Sequence, residues 1–389
     1  MCDPPSYRNR GPGEEAADAG FLSRTSMLRC LLVSVFTVSG FCFVVYFFHV
    51  RGDQGFTVEE EIRGNGSGGS SDLELTWARN LEEAAGRDSL FSLREKLAAK
   101  PRSEAVAEIE EYLKRAEDRT TGLEFSIGRD GRIEGWPTVR VFLLDLLLKI
   151  DPGAAARISR GILSAETSAD EWAVALRNVA KGEGSGDNRD YLRIRTEELI
   201  SNPEWQAQPS VGYLNAFDVL VYARATETLP LLSKLLRLKD RQDLAHAAFL
   251  TLDRLVQREP VKMLARLGED HYLRQSRPQM TAQQFARADL RDATQRAIVK
   301  SWLLDTARTS TELENFSAIY PNNNKLISHN LLTSEEQVPG ELLQAHDREA
   351  LAVIQGWKVE PDFGSRTRYL EVMERRLSQF VDRANDSAR

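Results

Sequence analysis

The chain is 389 residues, 42% hydrophobic and 28% charged, long enough to bury a substantial core and too apolar for wholesale disorder. Its net charge of −7 supplies none of the clustered positive potential that nucleic acid requires, so no nucleic-acid partner is expected. Cys2, Cys30 and Cys42 are its three cysteines, which excludes a disulfide framework, a thiolate zinc site or a cysteine nucleophile from everything after them.

Residues 1–26 carry Pro4, Pro5, Gly11, Pro12 and Gly13 and read as a disordered tail. Residues 27–50 read as a single-pass transmembrane signal-anchor. Cys30 to Val50 runs without Asp, Glu, Lys or Arg. As a helix it spans ~31 Å, close to the hydrocarbon thickness of a bilayer. The alternative is a cleaved signal peptide. Against it stand the length of the apolar run and the sequence after it, His49-Val50-Arg51-Gly52-Asp53, which lacks a small-x-small cleavage pattern. Phe41 before Cys42 argues against a lipidation site.

Arg8, Arg10, Arg24 and Arg29 precede the span, while Arg51 is followed by Asp53, Glu59, Glu60 and Glu61. The positive-inside rule then places the N-terminus in the cytoplasm and the C-terminal domain outside it. Met27, just ahead of Leu28-Arg29, is a second candidate start. Ser34, Ser39 and Gly40 lack the small-xxx-small spacing of a helix-dimer face, so a plain anchor is expected.

Residues 51–71 form a linker, with Gly and Ser dominating 64–71. Asn65-Gly-Ser67, Asn315-Phe-Ser317 and Asn385-Asp-Ser387 match the glycosylation acceptor triplet, a pattern that also arises by chance.

Residues 72–137 read as N-terminal helices plus a short hairpin. Pro101 opens a helix with Ala105, Ile109, Tyr112 and Ala116 on one face. Leu123–Ile127 and Arg132–Glu134 flank Gly128-Arg-Asp-Gly131, a hairpin signal, and an isolated hairpin must pack on neighbouring helices. Helix starts are marked at Asp151-Pro152, and Ser168-x-x-Glu171 and Thr333-x-x-Glu336 match capping boxes.

Between 138 and 268, helix pairs begin near 138, 168, 210 and 241. Val139–Arg160 aligns with Ala247–Gly268, an offset of three repeat units of about 36 residues each, within the range of helical solenoids. Leu144 falls on Leu252, Asp145 on Asp253, Leu147 on Leu255 and Leu148 on Val256. Both long helices end at an acid-proline step, Asp151-Pro152 and Glu259-Pro260.

Thr228-Leu-Pro-Leu-Leu-Ser-Lys-Leu-Leu236, followed by Asp243-Leu-Ala-His-Ala-Ala-Phe-Leu-Thr-Leu-Asp-Arg-Leu255, resembles HEAT-like (armadillo-type) helical repeats. The resemblance covers about 138–268 and lacks the family's regular proline in each first helix and its regular Asp/Arg at the turns. It implies an all-α, helical-hairpin solenoid and an interaction scaffold for protein partners. A non-repetitive all-α domain stands as the alternative.

Residues 269–389 read as a C-terminal helical region. Leu290, Ala293, Ala297 and Leu304 share a side, Tyr320-Pro-Asn-Asn-Asn324 reads as an exposed turn, and 341–356 and 365–383 are terminal helices. Arg366, Arg368, Arg375, Arg376 and Arg383 give the last helix a basic face, broken by Glu371 and Glu374, expected to be solvated.

No catalytic, cofactor-binding or metal-ligating residue is assigned. His246, His271, His329 and His346 hold no i, i+4 zinc pair. His346-Asp-Arg-Glu349 sets a carboxylate one turn from an imidazole, a spacing common on exposed helices, and His246 reads as a semi-buried packing residue. Gly182-Glu-Gly-Ser-Gly186 follows a helix and lacks a phosphate-loop lysine, so it reads as a connector. Trp136, Trp172, Trp205, Trp302 and Trp357 read as packing residues. The expected function is therefore a membrane-tethered helical-repeat scaffold, held through residues 30–50. The alternative is an α/α-fold enzyme acting on cell-envelope polymers, its acid pair hidden in the dispersed carboxylates.

Overall fold

The computed structural model describes residues 86–387 apart from 116, 117, 185, 187, 326–329 and 335–337. The expected tail (1–26), signal-anchor (27–50) and linker (51–71) lie outside the described residues, as do Ala116, His329 and Glu336. Among the described residues no helix is long and apolar enough to cross a membrane.

What is described is helix upon helix with one two-stranded hairpin. Helix α1 (Arg87–Ala98) and α2 (Arg102–Lys114) come first. Pro101 precedes α2, and Ala105, Ile109 and Tyr112 are buried as one stripe, as the i, i+4 spacing dictates. Strand β1 (Ser126–Ile127) then pairs antiparallel with β2 (Ile133–Gly135). Gly131 turns the chain with φ +73°, a conformation side chains resist. Gly135 carries no Cβ because one there would lie 2.1 Å from the Glu124 carbonyl oxygen. The hairpin is anchored by Ile133 and Trp136, both buried, and Trp136 meets Phe142 edge-on at 5.2 Å.

Helix α3 (Val139–Ile150) is apolar on nearly all sides and lies inside the body, against α1, α2, α4 (Pro152–Ile162) and α5 (Ala169–Glu183). Asp151 caps α4 by accepting from Ala154 N at 2.9 Å. Ser168 caps α5 through Glu171 N, while the Glu171 carboxylate pairs with Arg140. Gly182 is part of this helix. A Cβ there would sit 2.3 Å from the Pro152 carbonyl oxygen, so the glycine sets how closely α4 and α5 approach.

Next come α6 (Arg189–Ser201), α7 (Pro203–Ala207), α8 (Val211–Ala216), α9 (Asp218–Tyr222) and α10 (Leu229–Leu236). The helix pair expected from residue 210 is thus broken into short pieces. The helix is interrupted at Phe217, Arg224 is left-handed with φ 49°, and the Asp218 carboxylate accepts from the backbone N–H groups of Leu332 and Thr333, both at 2.8 Å. Thr333 also donates its hydroxyl to Asp218. The capping box expected at Thr333-x-x-Glu336 falls partly outside the described residues, among which the next helix starts at Gly340. The complete capping box is Thr309 with Glu312.

Helices α11 (Gln242–Arg258) and α12 (Pro260–Glu269) form the second aligned unit, followed by α13 (His271–Ser276) and α14 (Pro278–Phe285). The C-terminal region holds α15 (Ala293–Leu304), α16 (Ser310–Ile319), α17 (Gly340–Lys358) and α18 (Thr367–Ser387). An aromatic column runs through it: Phe285 on Trp302 at 4.7 Å, Trp302 on Phe316 at 5.1 Å and Phe316 on Tyr320 at 5.5 Å. Trp136, Trp172, Trp302 and Trp357 are buried, and Trp205 packs edge-on against Trp172 at 5.4 Å, as packing residues should.

The two helices aligned on the sequence share an arrangement of buried charges. Asp145 accepts from Arg177 at 2.7 Å, and Asp253 accepts from Arg287 at 2.5 and 2.9 Å. One turn further along each helix, Lys149 and Gln257 hold the same carboxylates, at 3.2 and 2.9 Å. The sequence alignment of α3 with α11 thus relates two helices with the same internal polar arrangement. Arg140–Glu171 and Asp218–Arg254 are further buried pairs, at 2.9 and 3.5 Å. Partners are 31 residues apart for Arg140–Glu171, 32 for Asp145–Arg177 and 34 for Asp253–Arg287, and Asp218–Arg254 keeps a similar step.

Candidate functional site

A cavity of about 480 Å³ opens in the C-terminal region. Three helices each present two residues to it, four positions apart and therefore on one face: Asn315 and Ile319 from α16, Leu343 and Asp347 from α17, Arg376 and Phe380 from α18. Gln283 of α14 and the 321–324 segment complete the lining.

The Tyr320–Asn324 segment is not the exposed turn its composition suggests. Tyr320 ends α16 and is fully buried, and Pro321 is buried after it. Asn322 N donates to the Ala286 carbonyl at 2.9 Å. Arg287 donates to the carbonyls of Asn322 and Asn324 at 3.2 and 2.8 Å. The same guanidinium pairs with Asp253, so the asparagine wall is tied directly to α11.

His346 is buried and does not pair with Glu349, which faces solvent. Its Nδ1 lies 3.0 Å from Asp347 Oδ1, and its Nε2 lies 3.7 Å from Asp289 Oδ1. Burial raises the Asp289 carboxyl, but hydrogen bonds from Arg291 and the charge of His346 outweigh it and hold the group below its ordinary range. Burial, then the charges of Asp289 and Asp347, raise the Tyr320 phenol well above its ordinary value. His246 is exposed on α11 and His271 is exposed at the start of α13, so neither is brought to the cavity.

Arg376 departs most from expectation. On the sequence it belongs to a solvated basic face. In the fold its Nε is buried and lacks a hydrogen-bond partner, and burial lowers the guanidinium's affinity for its proton, opposed by the charge of Asp347. Arg366 also leaves that face, donating to the Leu303 and Asp305 carbonyls at 2.9 and 3.0 Å and capping α15. Asn322 Nδ2 is a second buried donor without a partner. Sequence reading missed Arg376, Asp347 and Asn315 as cavity residues; their spacing of four with Phe380, Leu343 and Ile319 is the only local signal, and every helix carries such spacings.

The cavity can therefore hold a ligand between a guanidinium, a carboxylate and several carboxamides. Among the described residues no tryptophan lines it. Among the described residues, too, no three His, Cys, Asp or Glu side chains converge as a metal site. No protein-family model matches the chain, and no curated protein or solved structure matches it.

Proposed function

We propose that this protein is a membrane-tethered helical-repeat scaffold, HEAT-like in its packing, that presents its body to protein partners outside the cytoplasm. The observation that supports the repeat reading is a set of buried ion pairs: Arg140–Glu171 and Asp145–Arg177 join α3 to α5 over 31 and 32 residues, and Asp253 of α11 meets Arg287, 34 residues on and just after α14. Units that share a core with their neighbours stack into elongated surfaces suited to binding. The uncharged stretch 30–50 and the Gly/Ser-rich linker supply the tether, which raises the concentration of the body near membrane-bound partners.

The test is extraction of membranes carrying the full chain with alkaline carbonate. The chain should stay in the membrane pellet, and the double variant Val35→Arg, Val38→Arg should be released, because a charge at mid-bilayer costs about 2.5–3.5 kcal/mol on insertion scales. Release of the unaltered chain contradicts the tether.

A second reading, an α/α-fold enzyme acting on cell-envelope polymers, has one observation behind it: Asp289 and Asp347 flank His346 beside the cavity. It is the weaker reading. A general acid needs a raised carboxyl, and Asp289 is held low.

A further inference from the structure

The geometry points to the C-terminal cavity as a binding site for a small zwitterion of the amino-acid or dipeptide class, its carboxylate on Arg376 and its ammonium on Asp347. This is a site distinct from any scaffold surface. Its volume, about 480 Å³, lies within the range of small-molecule pockets.

Two unpartnered donors, Arg376 Nε and Asn322 Nδ2, are buried at its wall. Buried donors are normally satisfied, and here no protein group satisfies them. Arg376 also lines the cavity, and a guanidinium recognises a carboxylate with two parallel hydrogen bonds. On α17, Asp347 also lines the cavity, with one oxygen held by His346. An anion alone would meet that carboxylate as a repulsion, whereas a ligand with an ammonium group converts it into an attraction. Ile319, Leu343 and Phe380 provide the apolar wall that a hydrocarbon side chain needs. Asn315 and Gln283 can serve an amide bond, so a dipeptide gains contacts that a free amino acid lacks. His346 acts as a positioning residue, fixing Asp347 from behind.

The experiment is calorimetric titration of the full chain in detergent with four probes: L-leucine, leucyl-leucine, N-acetyl-leucine and leucinamide. Leucine or leucyl-leucine should bind, and which of the two binds more tightly identifies the source. N-acetyl-leucine, lacking the ammonium, and leucinamide, lacking the carboxylate, should each bind at least tenfold more weakly. Arg376→Met should abolish binding of both zwitterions while the ligand-free chain keeps a single cooperative melting transition. Arg375→Met, at an exposed neighbouring position, should change nothing. The proposal is overturned if neither zwitterion binds at millimolar concentration, if either blocked probe binds as tightly as its parent, or if Arg376→Met retains binding.

Discussion

Asp145 concentrates the charge chemistry of the first aligned helix. It is buried, and it accepts from Arg177 at 2.7 Å, Trp136 Nε1 at 3.2 Å and Lys149 at 3.2 Å. Removing one member of a buried pair strands the other, whereas replacing both with apolar groups of similar volume is often close to neutral. Asp145→Leu is therefore expected to lose ~3–5 kcal/mol of stability and Asp145→Leu with Arg177→Met to recover most of it, read as shifts in urea midpoint at constant slope. A double variant as unstable as the single one would mean that the pair holds the helices by more than its own charge balance. Asp145 and Asp253 stood in register in the sequence. Their partners did not, because Arg177 and Arg287 lie 32 and 34 residues away and nothing local marks an arginine as buried. The same blindness hid Arg376, whose neighbours Arg375 and Arg368 do face solvent.

Helix existence was legible from apolar spacing, with a cap as at Asp151-Pro152 and without one as at the buried stripe of α11. Distant partners left no such mark. Thr333 has the spacing of a cap, and its hydroxyl and amide both donate to Asp218, 115 residues away. Asp218 also belongs to the segment where the expected long helix breaks into α8 and α9. Glycine gives the clearest test at this scale. Ala is the better helix former by about 0.8–1.0 kcal/mol, so an open helical glycine should gain from substitution. Gly161 of α4 has nothing within 4 Å of an added Cβ, while Gly182 of α5 would drive one into the Pro152 carbonyl at 2.3 Å and Ala156 Cβ at 2.8 Å. Gly161→Ala should raise thermal stability by up to ~1 kcal/mol, and Gly182→Ala should lower it by about 1–3 kcal/mol. If both changes act in the same direction, the close approach of α4 and α5 is wrong.

At the scale of the molecule, the fold class followed from period 3.6 spacing alone, and the one hairpin from its glycine-bounded turn. The C-terminal cavity did not, because it is assembled from α14, α16, α17, α18 and a loop between them, and each helix carries only one or two of its residues. The proposed function assigns the two ends separate tasks: an apolar segment to hold the protein in a bilayer, and a helical body with a ligand pocket to act beyond it. In the stretch expected to link them, 51–71, the Asn65-Gly-Ser67 triplet follows the expected span at Val50. That triplet reports on the arrangement directly. The measurement is glycosylation during insertion into microsomes, with Asn315→Gln and Asn385→Gln removing the other acceptor triplets. The account predicts a glycan on Asn65, lost in Asn65→Gln. A chain unmodified at Asn65 but modified at an acceptor triplet introduced within residues 1–26 would place the body on the opposite side and contradict it.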